Sequence, residues 1–259
     1  MYKRLQPVTI AKHGKLFFQP CQDHSFTKGV DHVEVVAAEI AAAALNFPLA
    51  FSERDGCVRL VALLSLQRGR NVFVNRQGRW LAEYVPTAFL PYPFVLGDPV
   101  GARGARLHVD MDSGMITEAD GHPFFGADGK PSAKLKEVVR FLYDVEKSQH
   151  VLRKVCATIA NLKLLVPWGD TADGLEGAAG PGTLLRVDEA MLNTLPDGFI
   201  SLLRQAGALP VIYAHLLSLG HLAKVTRLAQ HQAASGAQTR KLLADCLSLK
   251  SSKDAAFHF

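Results

Sequence analysis

The sequence predicts an α+β protein in which a β-rich N-terminal part, residues 1–125, packs against a helical part, residues 126–232. In the first part, short β-branched runs alternate with turn residues, which is typical of an antiparallel meander. In the second part, apolar residues recur at helical spacing. A glycine-rich insertion near 169–182 interrupts the helices, and a polar tail, 233–259, follows them. The two parts can also form one integrated domain.

The first half of the chain supplies the strands. Its earliest clear pattern, HVEVV at 32–36, predicts a strand that leads into an alanine-rich helix ending before Pro48. Three segments joined by the turns QRGRN and NRQG predict the meander, because these turn residues tolerate left-handed geometry. The meander segments are CVRLVALLSL (57–66), NVFV (71–74) and RWLAEYV (79–85), and PFVLG (93–97) and ARLHVDM (105–111) predict two further strands.

The strongest helix pattern follows a loop of residues 110–130 that is rich in Gly, Asp and Pro. From Leu135 to Leu162, apolar residues fall on one helical face, and Ser132 is a suitable N-cap. After the glycine-rich insertion, TLLRV predicts a short strand. Asp188 predicts a cap for the next helix, and Pro196 the start of another that ends at Gly207.

Residues 208–231 predict a helix that is apolar nearly all round, which indicates burial or a subunit interface. If the chain forms a homodimer, we expect residues 210–228 of this helix to be the interface. Of its two histidines, His215 and His221, we expect one to be a satisfied core histidine and the other to lie beside a kink at Gly220.

Composition indicates an ordinary globular chain of the cytoplasm. It is 48% hydrophobic and 20% charged, with a net charge of +5. The N-terminal residues lack the apolar run of a signal peptide, and no stretch of about 18 apolar residues predicts a membrane span. Basic pairs lack interleaved aromatic residues, so no nucleic-acid partner is expected. The cysteines show no CxxC pair and are expected to be reduced thiols: Cys21, Cys57, Cys156 and Cys246.

Histidine and acidic residues leave one metal hypothesis open. His108 and Asp110 match the His-x-Asp half of an iron site, and His150 is a candidate for the distant ligand. On an alternating strand, His108 and Asp110 share a face without any metal, so we expect no cofactor, with iron or zinc only in this alternative. The sequence shows no recognisable nucleophile with an attached base, so covalent catalysis has no support.

The aromatic-rich segment 69–97 allows two interpretations. Its aromatic side chains can fill the core between sheet and helix, which is their commoner role. Alternatively, part of the segment can form a binding surface for a sugar, a peptide or an aromatic ligand. The candidate binding residues are Asn75, Arg79, Trp80, Tyr84 and Tyr92.

Three stretches of the sequence resemble the bacterial SapC family. They are HVEVVAAEIAAAALNFPLAF, GRNVFVNRQGRWLAEYVPTAFLPYPFVLG and LLRVDEAMLNTLPDGFISLLRQAGALPVIYAHLLSLGHL, which occur in the expected order. The glycine-rich stretch near Gly174 departs from the hairpin usual in that family. The resemblance implies a link to a surface-layer locus with export components, and it supplies no catalytic residues to carry over.

The function we expect is therefore binding rather than catalysis. A SapC-like accessory protein would engage a protein or peptide partner in cell-envelope or surface-layer export, with Tyr84 and Tyr92 at the recognition surface. Two alternatives stay open at this point. One is a metal-dependent oxygenase or hydrolase that uses His108 and Asp110, and the other is a small-molecule-binding module.

Overall fold

A computed structural model describes residues 1–97, 106–168 and 183–234. Its strands are β1 (Leu5–Pro7), β2 (Phe17–Phe18), β3 (His32–Glu34), β4 (Leu49–Arg54), β5 (Cys57–Leu63), β6 (Phe94–Gly97), β7 (Arg106–Asp110), β8 (Ile116–Thr117), β9 (His122–Pro123), β10 (Leu165–Pro167) and β11 (Thr183–Val187). Its α-helices are α1 (Ile10–His13), α2 (Ile40–Ala44), α3 (Ala133–Asn161), α4 (Glu189–Asn193), α5 (Asp197–Gln205), α6 (Ala208–Ser218) and α7 (residues 222–234).

The largest sheet has five antiparallel strands in the order β10-β11-β4-β5-β3. Its centre is the β4–β5 hairpin, whose turn residues Asp55 and Gly56 have φ angles of 53° and 72°. Such an Asp-Gly pair suits the left-handed turn that matches strand twist. In the second half of the chain, β11 pairs with β4, with Leu185 opposite Phe51. Both halves of the sequence therefore contribute to this sheet.

The main core lies between this sheet and the long helices. Helix α3 packs on β5, and α6 packs on β4, β11 and α2. The C-terminal half of α3 contributes Leu152, Cys156 and Ile159, all fully or almost fully buried. Burying such side chains contributes about 2 kcal/mol of stability each, and this holds the helix against β5. The largest buried side chains of this core are Phe47, Phe51, Phe73, Leu49, Leu60, Leu64, Leu164, Leu203 and Ile212.

A second, smaller core lies beneath the N-terminal half of α3. Two three-stranded antiparallel sheets, β1-β7-β6 and β8-β2-β9, enclose it. Phe18 meets Phe94 and Phe124 edge-on, with ring centroids 5.0 and 5.1 Å apart. The fold is therefore α+β, with antiparallel sheets in the N-terminal part and helices in the C-terminal part. The division of the chain at residues 125 and 232 stays a prediction.

The predicted helix boundaries agree closely with the structure. Ser132 caps α3, because its Oγ accepts the Leu135 amide at 3.1 Å. Asp188 caps α4 in the same way through the Met191 amide, also at 3.1 Å. Gly207, with a φ of 69°, separates α5 from α6. These caps satisfy amides that the first helical turn leaves without a partner.

The prediction of a three-stranded meander is wrong at its second and third segments. Residues 71–74 and 79–85 form a single bridge, between Val74 and Trp80, instead of two strands. The side chain of Asn71 accepts the amide of Phe73 at 2.9 Å, which bends the backbone away from a ladder. The predicted loop 110–130 also contains two short strands, β8 and β9.

The apolar helix of residues 208–231 is interrupted and packs on the sheet. A 3₁₀ turn, Leu219–His221, separates α6 from α7. Taken together, Ala208–Ala234 is long and apolar enough to cross a membrane, and its most apolar 18 residues have a mean hydropathy of 1.3 and are 33% buried. Buried core helices meet the same test, and here Ser218 Oγ accepts the amide of Leu49 at 2.8 Å. The expectation that no segment spans a membrane stays a prediction.

Candidate functional site

Asn75 and Arg79 form a tight turn in the segment between β5 and β6. The Asn75 Oδ1 accepts the Arg79 amide at 2.9 Å, and the Asn75 amide donates to the Arg79 carbonyl at 3.0 Å. Gly78, at a φ of 83°, allows this turn, and a Cβ there would lie 2.5 Å from Ser25 Oγ. The Asn75 side chain is therefore used by the turn, whereas Arg79 is exposed.

Trp80 and Tyr84 are fixed against the main core. Tyr84 is held by the buried carboxylate of Glu39, and Trp80 is held by Tyr84 and by ring contacts. The Trp80 Nε1 donates to the Tyr84 carbonyl, and the Tyr84 hydroxyl donates to Glu39 Oε2, both at 2.7 Å. The amides of Thr87 and Val36 donate to Glu39 at 2.8 and 2.9 Å. Burial and the Glu39 carboxylate raise the pKa of Tyr84. The Trp80 ring packs on three core phenylalanines, Phe47, Phe73 and Phe89.

Tyr92 lies at the base of a surface cleft. Its side chain is only 5% exposed. Its ring stacks on Phe26, with centroids 3.9 Å apart and an interplanar angle of 4°. Its hydroxyl donates to Asp110 Oδ2 at 3.2 Å, and the ring of Tyr2 lies 5.6 Å away. The tyrosine is therefore fixed in position by stacking on one side and a hydrogen bond at its tip.

Asp110, which holds the Tyr92 hydroxyl, is a buried carboxylate with four donors. The amides of Lys3 and Arg4 donate to its two oxygens at 2.9 Å, and the amide of Asp112 donates at 3.2 Å. Burial would raise the pKa of Asp110, but these hydrogen bonds outweigh burial and hold the pKa below its ordinary value. Burial and the Asp110 charge raise the pKa of Tyr92 to about 12. Tyr92 thus remains a protonated donor, and Asp110 an ionised acceptor.

Two cavities share Gln19, Pro20 and Tyr92 as a common wall, and we call them together the Tyr92 cleft. The first cavity, of about 600 Å³, has a mixed lining of polar and aromatic side chains. These include Tyr2, Lys3, Gln22, Asp23, Ser25 and Phe26. Its size falls within the range of known ligand pockets, roughly 300–1,000 Å³.

The second cavity, of about 370 Å³, is lined mainly by apolar side chains. Leu90, on its rim, is 55% exposed, and an ion pair of Lys134 with Glu137 at 2.7 Å also borders it. The other walls include Phe18, Pro91, Phe94, Val138 and Phe141. An apolar cavity beside a polar one suits a ligand that carries both kinds of group.

The thiol of Cys21, at the edge of the cleft, is held in its neutral form. Cys21 borders the second cavity, and its thiol donates to the Asp23 carbonyl at 2.7 Å. Burial raises the pKa of Cys21, so the nucleophilic thiolate is disfavoured. The carboxylate of Asp110 already accepts hydrogen bonds from its four donors. The cleft therefore offers shape and hydrogen-bonding groups, and the thiol at its edge is not activated.

The structure does not bring His108, Asp110 and His150 together as a metal site. Asp110 is directed to the N-terminal amides and Tyr92, while His108 Nδ1 lies 3.0 Å from the Arg106 carbonyl. His150 lies on the exposed face of α3. Within residues 1–97, 106–168 and 183–234, no three His, Cys, Asp or Glu side chains are grouped so that they could hold a metal ion.

Of the five candidate binding residues, Tyr92 alone lines the Tyr92 cleft. Asn75 borders a different cavity, of about 830 Å³, between its turn and α7. The sequence also missed the other walls of the cleft, such as Phe26, Leu90 and Phe141. They come from segments far apart in the chain, and no spacing rule connects them.

Comparison with known proteins gives a single family. The family model for SapC matches residues 8–225. No curated protein and no solved structure matches the chain. The matched region includes the cleft residues from Gln19 to Phe141, all eleven strands except β1, and helices α1 to α6, while Tyr2 and Lys3 of the first cavity lie before it. The chain therefore belongs to the SapC family.

Proposed function

We propose that the chain is a non-catalytic accessory protein that binds a protein or peptide partner in cell-envelope or surface-layer export. The observation that carries this proposal is the Tyr92 cleft, with its apolar and polar cavities on either side of a shared wall. Alternate side chains of an extended peptide point to opposite faces, and those on one face repeat at about 7 Å. Two side chains on the same face of such a peptide, two residues apart in its sequence, could therefore fill the two cavities.

The fixed position of Tyr92 supports binding. The Phe26 stack and the Asp110 hydrogen bond fix the Tyr92 ring before any partner binds, so its side chain would lose little conformational freedom on binding. Such preorganisation lowers the entropic cost of association. We place this role in the cytoplasm, a proposal supported by the free thiols of Cys21, Cys57 and Cys156.

The proposal is tested by a substitution on the rim of the cleft and a matched control elsewhere. Leu90 and Ile10 are 55% and 53% exposed, and Ile10 lies on α1, away from the cleft walls. We expect Leu90→Asp to reduce the amount of partner that co-purifies with the tagged chain by about tenfold, because one apolar anchor contributes ~1.4 kcal/mol. Ile10→Asp should leave it unchanged. Quantitative mass spectrometry measures both.

The proposal fails if both variants retain the same partners as the unaltered chain. It also fails if the purified chain turns over a substrate and a single polar substitution abolishes that turnover. A second candidate function, a small-molecule-binding module, is favoured by the apolar lining of the 370 Å³ cavity. A rise in melting temperature with a metabolite, without turnover, would support that candidate.

A homodimer through residues 210–228 belongs to the same proposal. Tyr213 and Leu217 are 55% and 81% exposed and lie one turn apart on α6. Leu45, at the end of α2, is 75% exposed, and α2 packs against α6. Exposed apolar side chains of this kind favour association. Sedimentation should give a dimer for the unaltered chain and a monomer for Leu217→Asp, and a monomer for both would contradict the dimer.

A further inference from the structure

The exposed face of α3 carries four cations in one row, which we call the basic stripe. Lys136, Arg140, Lys147 and Lys154 are all exposed. At 100° per residue they fall within about 40° of one another on the helix, and the row is about 27 Å long. The stripe lies opposite the face that buries Leu142, Leu152 and Ile159 in the two cores. Core packing therefore does not account for it.

The four stripe side chains form no direct ion pair with another described residue. Every ion pair between described residues involves other cations, and none of the four stripe side chains has a hydrogen-bond partner in that part of the chain. On the same helix, Lys134 does pair with Glu137 at 2.7 Å, and Arg153 pairs with Glu34. Lys136 and Arg140, which lie one turn apart, repel each other. An anionic partner would relieve that repulsion.

An apolar groove lies directly beside the first half of the basic stripe. This cavity, of about 550 Å³, lies between α3 and the ends of β1 and β7, and Lys136 and Arg140 border it. Tyr143, on its edge, is 48% exposed. Its other apolar walls include Val8, Leu107, Phe125, Pro131 and Val139. Apolar side chains of a ligand could enter the groove while its acidic groups face the stripe.

We propose that the basic stripe and the apolar groove bind an acidic amphipathic segment of a partner protein. The length of the stripe matches a helix of about 18 residues, at 1.5 Å per residue. The narrow width of the basic stripe favours such a segment over a membrane surface. Exposed acids, Asp144 and Glu146, lie on the two sides of the stripe, at about 80° from Lys136. A flat anionic surface would meet both carboxylates, whereas a segment bound in the groove would meet Asp144 alone, because Glu146 does not line the groove.

This surface goes beyond the Tyr92 cleft and can be tested separately from it. The second cavity of the cleft lies against Lys134, Glu137, Val138 and Phe141 of α3. The groove instead touches Lys136, Val139, Arg140 and Tyr143, on the other flank of the helix. Leu90→Asp should therefore leave binding to the groove and stripe unchanged.

The experiment uses fluorescence anisotropy with the full chain and a fluorescein-labelled helical peptide of about 18 residues, with Leu on one face and Glu on its flanks. A scrambled peptide of the same composition is the control ligand. Lys147→Glu/Lys154→Glu should weaken binding by about tenfold, because two attractions between opposite charges are replaced by repulsion between like charges. Tyr143→Ser should weaken it by about fivefold through lost apolar contact.

A charge-matched control separates a specific stripe from general basicity. Arg204 and Arg227 are exposed on α5 and α7, so Arg204→Glu/Arg227→Glu makes the same change in net charge. We expect that variant to bind as the unaltered chain does, and binding to weaken as salt is raised. Three results would each overturn the proposal: equal affinity for the scrambled peptide, equal losses in both double variants, or binding to phosphatidylserine vesicles but not to the peptide.

Discussion

His215 gives a quantitative prediction about stability in acid. Its side chain is fully buried between α6 and the large sheet. The Leu49 carbonyl lies 2.9 Å from Nδ1, and the Val187 amide donates to Nε2 at 3.2 Å. A carbonyl requires a donor and an amide requires an acceptor, so these neighbours select the neutral ring with its proton on Nδ1. A second proton would break the bond from Val187 and place a charge in the core.

The pKa of His215 determines how much stability the chain loses in acid and over which pH range. Burial lowers the pKa of His215 from 6.5 to about 4. At ~1.4 kcal/mol for each pH unit, this difference corresponds to about 3.5 kcal/mol. The unfolded chain binds the proton first as the pH falls below 6.5. The stabilisation is therefore complete above pH 6.5 and is lost progressively towards pH 4.

Urea unfolding near neutral pH and near pH 4.5 measures this loss, with the non-titrating variant His215→Asn as the comparison. The variant loses a hydrogen bond at every pH, so it should be less stable near neutral pH. Between the two conditions, the unaltered chain should lose about 2.5 kcal/mol more than the variant does. Burial also lowers the pKa values of His13 and His24, and their contributions cancel in this comparison. Equal losses in the two proteins would refute the reasoning.

Three further substitutions test the local structure by the same unfolding assay. Ser132→Ala should cost about 1 kcal/mol, because the first turn of α3 loses its cap, and no loss would show that the cap is unimportant. Glu39→Ala should cost about 3 kcal/mol, because the Tyr84 hydroxyl and two amides lose their acceptor, whereas a cost under ~1 kcal/mol would contradict the network. Tyr92→Phe should cost about 1 kcal/mol and raise the pKa of Asp110, which keeps its three amide donors, and an unchanged Asp110 titration measured by NMR would argue against that hydrogen bond.

Local sequence patterns predicted the helices better than the strands. Ser132 and Asp188 act within one turn of their own positions, so their chemistry can be read directly from the sequence. His215 was one of two candidates for a satisfied core histidine, and the structure confirms one such residue. The Asp55-Gly56 turn carried a strong hairpin signal, but β4 was not predicted from it. Residues 71–85 resemble strands by composition, and tertiary contacts of Trp80 and Asn71 override that preference.

The candidate site could be predicted only in part. Tyr92 was identified because tyrosine combines an apolar ring with a polar tip. Its partner Asp110 was considered as a metal ligand, since the sequence gives no indication that the amides of Lys3 and Arg4 lie beside it. Those contacts join residues more than 100 positions apart. The cleft depends on packing between distant segments, which periodicity and spacing do not encode.

The most direct test of the proposed binding role is photo-crosslinking in cells, with a photoreactive amino acid at Gln19. This residue lines both cavities of the Tyr92 cleft, whereas Arg204, on α5, serves as an exposed control position. We predict that position 19 gives a discrete adduct with one polypeptide, identified by mass spectrometry, and that position 204 does not. The same adducts at both positions, or none at position 19, would contradict a partner-binding cleft at Tyr92.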